Sequence, residues 1–295
     1  MKPPPFEYLA PSSLPEALDI LSENGDDAKV LAGGQSLVPA MNFRLVEPAL
    51  LVDLNGLDDL SYVTKEASGE IRIGAMTRQR TIERDSLVEA ALPLLSETMP
   101  NIAHSQIRNR GTIGGSLVHA DPAAELPMIM VALDARFRLR RSASERWISA
   151  ADFYQGLFST DLADDEIMVE VAIPPLKANA GTCFVEFARR KGDYALLGVA
   201  AILSLDDMGI CREARIVYLN AGDMPIVARV AADLINGEKP TPQLFVEAAN
   251  HAIENEITPM GDIHASVPYL LHLARALTVQ ALNQAAIRAT PLLGK

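Results

Sequence analysis

Residues 32–37 read AGGQSL, and residues 111–117 read GTIGGSL. One Gly-Gly pair is ordinarily a turn. Two pairs with the same GGxSL or GGSL ending, each following a structured-looking run, ask for a common job. Adjacent glycines tolerate positive φ, so successive backbone N–H groups can converge on an anion as a nest. Ser36 and Thr112 add hydroxyl donors. Neither stretch fits G-x-G-x-x-G or GxxxxGK[ST], so the Rossmann and P-loop frames fail at the motif. Another frame is needed, one able to hold an anion such as a pyrophosphate with few lysines or arginines.

The rest of the composition agrees with that economy of positive charge. With 38 acidic and 26 basic residues the formal charge is -12, which disfavours a surface that tracks nucleic acid. At 295 residues, 49% of them hydrophobic, the chain can bury a large core, and two domains are expected. The opening MKPPPFEYLAPSS lacks the apolar core of a signal peptide, and no later stretch approaches the roughly 18 apolar residues of a spanning helix. A soluble, cytoplasmic protein without membrane insertion is expected. The two cysteines, Cys183 and Cys211, lie in apolar runs; two buried thiols or one disulfide fit that count, and an iron–sulfur cluster or Cys-rich zinc site does not. His104, His119, His251, His264 and His272 show no HExxH-like spacing, so no protein-bound metal is indicated.

Helical punctuation is clearest at Ser13–Gly25: a Ser cap, a proline, Glu16 placed for a capping box, apolar Leu14, Leu18 and Leu21, and a closing glycine. Strands are expected at 29–32, 50–54, 71–75, 136–140 and 166–174, with a helix opening at 81–85. The composition turns small and polar at KANAG, 177–181, which marks a domain boundary. Beyond it CFVEFARR, ALLGVAAILSL and ARIVYLNAG predict an antiparallel three-stranded sheet with a turn at 206–209. Helices follow at about 225–236, 242–254 and 267–287. The class is α+β, not alternating strand-helix units on a parallel sheet.

Four stretches, AGGQSL (32–37), RNRGTIGGSLVHADPAAELP (108–127), RRKGDYALLGVAA (189–201) and GDIHASVPYLLHLARAL (261–277), are similar in order and spacing to the FAD-binding medium subunit of the molybdenum hydroxylases. That family includes the flavoprotein subunit of carbon monoxide dehydrogenase and the flavin domain of xanthine dehydrogenase. The resemblance spans nearly the whole chain. It implies a two-part FAD-binding domain of the vanillyl-alcohol-oxidase (PCMH) type at 1–177, with subdomains at about 1–57 and 58–177, and a C-terminal domain of a three-stranded sheet with a helical bundle at 178–295.

By motif position the resemblance places the FAD pyrophosphate between Ala32, Gly33, Gly34, Gln35, Ser36 and Leu37 on one wall and Thr112, Gly114, Gly115 and Ser116 on the other. Asp121 has two readings: the start of a DP turn, or an acceptor for the ribityl hydroxyls, as an acceptor-only carboxylate suits. Tyr194 is either the packing partner of a hairpin tip or a cover for one flavin face, and Lys191 either a hairpin charge or a group on a polar flavin edge or acceptor. Departures are visible. Ser116 stands where many relatives have Asn or Asp, and Leu270 where many have Arg. Gln35 cannot form the histidyl link of some relatives, so FAD is expected to be noncovalent.

The implied role is electron exit. A molybdenum cofactor and [2Fe-2S] clusters are expected only in partner subunits, a large and a small one, in a dimer of heterotrimers; electrons pass from the [2Fe-2S] subunit through FAD to a quinone, NAD or another acceptor. No side chain of this chain is expected to act as a catalytic acid or base in the hydroxylation. A free-standing FAD oxidase and a flavin-free scaffold are the alternatives.

Overall fold

The computed structural model describes residues 2–289; Met1 and residues 290–295, which the expected domains include, lie outside the described residues. Three layers of structure follow the chain. The first comprises β1 (Glu7–Leu9), α1 (Leu14–Asn24), β2 (Ala28–Leu31), α2 (Leu37–Asn42) and β3 (Leu50–Asp53). Helix α1 starts where the caps predict: Ser13 Oγ accepts from the Glu16 N–H at 3.4 Å. Glu16 reaches back one residue further than a standard box, accepting from the Ser12 N–H at 2.7 Å. Gly25 ends the helix at φ +56°. The strands run in the order β1-β3-β2 and are parallel. This departs from the expected absence of parallel pairing: helical crossovers from β1 to β2 and β2 to β3 bring short strands back in the same direction.

The second layer contains β4 (Val63–Lys65), β5 (Ile71–Gly74), α3 (Gln79–Arg84), α4 (Ser86–Ala91), α5 (Pro93–Thr98), α6 (Ser105–Arg108), α7 (Ile113–His119), α8 (Glu125–Ala132), β6 (Arg136–Arg141), β7 (Ser144–Ser149), α9 (Ala150–Phe153), β8 (Tyr154–Gly156), β9 (Ser159–Thr160) and β10 (Ile167–Ile173). Its five-stranded sheet runs β4-β5-β10-β6-β7, with antiparallel pairings. Helix α8, ELPMIMVA, is buried at every position, as a helix apolar all round must be.

The third layer is β11 (Ala180–Ala188), β12 (Ala195–Leu205), β13 (Cys211–Leu219), β14 (Ile226–Val227), α10 (Arg229–Asp233), α11 (Pro242–Asn255) and α12 (Val267–Ala289). The three long strands are antiparallel neighbours, as expected. The turn at 206–209 has Gly209 at φ +77° and Asp206 Oδ1 accepting from the Met208 and Ile210 N–H groups at 2.9 Å each. The expected helix at 225–236 is shortened, because Ile226 and Val227 pair with Tyr218 and Val217 as a fourth strand and Ala228 donates to Ile216. Cys183 and Cys211 are free and buried. Leu270 is buried in the apolar core beneath this sheet.

These layers share side chains. Phe184, Ala200, Ile202, Val217 and Leu219 of the third layer join Leu126, Ile129 and Met130 of α8 in one apolar cluster. At about 1.5–3 kcal/mol for each large apolar side chain removed from water, this contact is a principal source of cohesion. Arg288 of α12 grips Glu97 of α5 through two bonds, 2.7 and 3.0 Å, and donates to the Thr182 carbonyl at 2.6 Å. Among the described residues no helix is long and apolar enough to cross a membrane.

One carboxylate pins the far edge of the five-stranded sheet. Glu166, its side chain 2% exposed, accepts from Arg146 at 2.8 Å on both oxygens, from Arg141 at 3.3 Å and from the Ala163 N–H at 3.1 Å. The Arg146 bonds hold its pKa down at about 2. A depressed folded pKa stabilises the fold above the unfolded value and loses that contribution as pH falls through the folded one. Glu166→Gln is expected to cost on the order of 2–3 kcal/mol at neutral pH. In denaturant titrations the gap between wild type and variant should close as pH falls from about 4.5 toward 2; a gap that is constant with pH contradicts the assignment.

Candidate functional site

The first glycine stretch leaves β2 and enters α2 through a turn in which Gly34 has φ +70° and the Val38 N–H donates to the Gly34 carbonyl at 3.2 Å. The N–H groups of Gly33, Gly34, Gln35 and Ser36 meet no protein acceptor among the described residues. Unpaired backbone donors in succession call for water or a ligand. Gly33, Gly34 and Gln35 line a cavity of about 440 Å³ whose wall also includes Tyr8, Ala32, Asp53, Asn55 and Arg110.

The second stretch is not a loop. Thr112 caps α7, its Oγ1 accepting from the Gly115 N–H at 3.1 Å, and Gly114 and Gly115 lie in the first helical turn. The Ile113 N–H donates to Thr77 at 3.1 Å, Gly114 to Ala75 at 2.8 Å and Ser116 to Thr112 at 3.2 Å. The end of β5 and the cap therefore claim the donors that a nest at 113–116 requires. Glycine serves close packing here: a Cβ on Gly114 would stand 2.7 Å from Ala75 Cβ and 2.8 Å from its carbonyl oxygen. The Ser116 hydroxyl has no hydrogen-bond partner among the described residues.

Both stretches come together in space. A Cβ on Gly33 would stand 2.6 Å from the Arg110 carbonyl oxygen and 2.8 Å from Gly111 Cα, and one on Gly115 would lie 3.5 Å from Ala32 Cβ. Beneath this contact Asn55 Nδ2 donates to the Ala32 carbonyl at 2.8 Å, Arg78 Nη2 donates to Asn55 Oδ1 at 2.6 Å, and Arg78 Nη1 donates to the Arg110 carbonyl. Arg78 and Thr112 also share a β-bridge. Sequence reasoning missed Asn55 and Arg78, which act across chain separations that leave no local signature. Arg110 was within reach, since it sits inside the quoted RNRGTIGG run.

Asp121 does start the DP turn: its Oδ1 accepts from the Ala123 N–H at 2.9 Å. Its second carboxylate oxygen has no protein partner among the described residues, so the turn leaves an acceptor to spare. The 190–194 turn leans on the segment ahead of the second stretch, because a Cβ on Gly192 would lie 2.3 Å from the His104 ring. That segment is clamped by Arg108, 7% exposed, which donates to the Ile102 and Ala103 carbonyls at 2.7 and 3.1 Å and forks onto Glu83 at 2.9 and 3.0 Å. Lys191 is exposed, and Tyr194 is 71% exposed with its hydroxyl in the field of the Asp121 and Glu125 carboxylates. His119 packs against Phe158 with ring centroids 5.2 Å apart.

Such a site combines a row of free donors, a cavity and a nearby arginine, with an acceptor carboxylate and an exposed aromatic at the junction with the third layer. These groups suit a ligand with an anionic middle and a polar, aromatic end. Comparisons with known proteins agree. The sequence profile of the FAD binding domain in molybdopterin dehydrogenase matches residues 4–176, and that of the CO dehydrogenase flavoprotein C-terminal domain matches residues 182–285. The chain is 41% identical to the 6-hydroxypseudooxynicotine dehydrogenase complex subunit alpha of Paenarthrobacter nicotinovorans, across 99% of this chain and 98% of that one. A chain of carbon monoxide dehydrogenase from Hydrogenophaga pseudoflava superposes with a TM-score of 0.95 at 36% identity, covering 98% of this chain and 100% of that one. One of quinoline 2-oxidoreductase from Pseudomonas putida gives 0.93 at 40%, covering 98% and 99%.

Close packing makes a prediction separate from ligand binding. Gly33→Ala and Gly114→Ala each force a Cβ into backbone atoms and should destabilise the ligand-free chain by about 1–3 kcal/mol. Differential scanning calorimetry should show Tm falling by about 2–10 °C. An unchanged Tm in both variants contradicts the contact.

Proposed function

Because the chain belongs to the family of FAD-binding subunits of molybdopterin dehydrogenases, we propose that it is the electron-exit subunit of a molybdenum-containing hydroxylase. It takes electrons from a small [2Fe-2S] subunit and passes them to an external acceptor such as a quinone or NAD. The large subunit holds the molybdenum cofactor and selects the substrate, and two heterotrimers pair. Residues 1–177 serve as the FAD-binding domain, in subdomains of about 1–57 and 58–177, and 178–295 as the C-terminal domain.

What carries this reading is the row of unpaired N–H groups at Gly33, Gly34, Gln35 and Ser36 beside the cavity. They fit a pyrophosphate, so FAD fits the residues present. In this reading Ala32 and Leu37 flank the row, while Thr112, Gly114, Gly115 and Ser116 form the facing wall, Ser116 through its hydroxyl and the others through shape. Asp121 accepts from ribityl hydroxyls with the oxygen its turn leaves free. Tyr194 covers one face of the ring system, and Lys191 meets the polar edge or the acceptor. Bound FAD supplies a centre that exchanges electrons singly or in pairs; this chain orients it, excludes water from one face and leaves the other open. Gln35 offers no nucleophile, so the hold is noncovalent.

Replacing Gly33 or Gly114 perturbs packing as well as binding, so a charge placed in the row is a sharper probe. Gln35→Glu sets a carboxylate among the donors at the loss of the Gln35 Nε2 bond to the Gly33 carbonyl, and should weaken FAD binding by about tenfold or more through repulsion of the pyrophosphate, with circular dichroism unchanged and Tm lowered only by the loss of that one bond. Wild type should bind about one FAD per chain, with the visible bands of an oxidised flavin. FAD binding of equal strength in wild type and Gln35→Glu contradicts the assignment of the row.

A further inference from the structure

Two carboxylates that the reading above leaves without a role stand on elements that share one core, Glu125 at the start of α8 and Glu186 on the face of β11 whose Phe184 packs with α8. Glu125 opens α8 and is 6% exposed, yet its side chain receives no hydrogen bond from any other described residue. Glu186 projects from β11 beside Gly198 of β12, where the missing side chain leaves it room, and its Oε2 is buried with no partner. The groups around them are Asp121 in the turn before α8, Arg108 of α6, and Tyr194 in the turn after β11. Arg108 spends its hydrogen bonds on Glu83 and two carbonyls, so it moderates the acidic cluster only at a distance.

A buried carboxylate that accepts only from its own N–H, a half-buried one with an unpartnered oxygen and a third nearby cannot all stay ionised cheaply. We propose that Glu125 and Glu186 carry one proton between them at neutral pH, and that the charge of this pair governs how tightly the adjoining FAD is held. Glu125 and Glu186 come from opposite sides of the junction that the proposed site places beside the flavin, so the second half of the proposal rests on that site. Burial agrees in direction: it lifts Glu125, with help from Asp121, to about 7, and lifts Glu186, with help from Glu125, to about 8. Above that range the pair gains a second negative charge facing an anionic cofactor.

Infrared titration of the full chain without FAD reads the proton directly. A protonated carboxyl band should persist at pH about 6.5 and vanish by about 9.5; Glu186→Gln should remove its most alkaline step, and Glu125→Gln should shift that step to lower pH. FAD affinity, measured by fluorescence titration, should fall about three- to tenfold over the same interval in wild type and by a smaller factor in Glu186→Gln, which keeps only the Glu125 step. A chain whose carboxyls are all ionised at pH about 6.5 overturns the shared proton. Titration of the band with FAD affinity independent of pH overturns the coupling to the cofactor alone. Failure to bind FAD at either pH overturns the function proposed above and the coupling with it, while the infrared result still decides the proton.

Discussion

The backbone of Gly33 lies so close to Arg110 and Gly111 that a Cβ would fall 2.6 Å from a carbonyl oxygen. That approach joins the first layer to the second, and the remaining features of the site depend on it. Asn55 and Arg78 brace it from below by spending side-chain bonds on the carbonyls of Ala32 and Arg110. The Ala32 carbonyl is thus secured, the 33–36 segment keeps unpaired N–H groups, and Gly33, Gly34 and Gln35 line the cavity. The second stretch has the opposite allocation, its donors consumed by Ala75, Thr77 and Thr112. Two motifs that look alike on paper thus divide the labour, one donating outward and the other fixing the platform.

Much of this was legible in the residues. Ser13, Glu16 and Gly25 mark α1 because capping is local chemistry, and the Asp206–Gly209 turn and the three long strands after residue 180 follow from turn residues and apolar runs. The glycine stretches marked the place where the first and second layers come together. Their difference was not legible, because it depends on which strand ends arrive to take the N–H groups. Asn55 and Arg78 carry no local pattern. The shortened helix at 229–233 shows tertiary pairing overriding a helical-looking run, since the edge of β13 was available to Ile226 and Val227. Glu125 is buried although nothing in its local sequence distinguishes it from an exposed carboxylate at a helix start.

On the proposed reading, an acidic chain that holds an anion through backbone donors avoids the charge such binding commonly uses. This would matter for the electron-exit role proposed above, because a redox cofactor changes charge during turnover while the surrounding carboxylates must not repel it. The proton proposed for Glu125 and Glu186 addresses the same difficulty from the other side, since a full set of charges there would be costly. Arg108 links these features physically: it clamps the segment on which the Tyr194 turn rests and lies in the electrostatic range of Glu125.

Amide hydrogen exchange of the full chain, with and without saturating FAD, distinguishes donors from platform residue by residue. FAD should slow exchange at Gly33, Gly34, Gln35 and Ser36, whose N–H groups are unpaired, and leave Ile113 to Ser116 unchanged because those are already bonded. Protection that appears at 113–116 and bypasses 33–36 would show that the anion sits on the other wall.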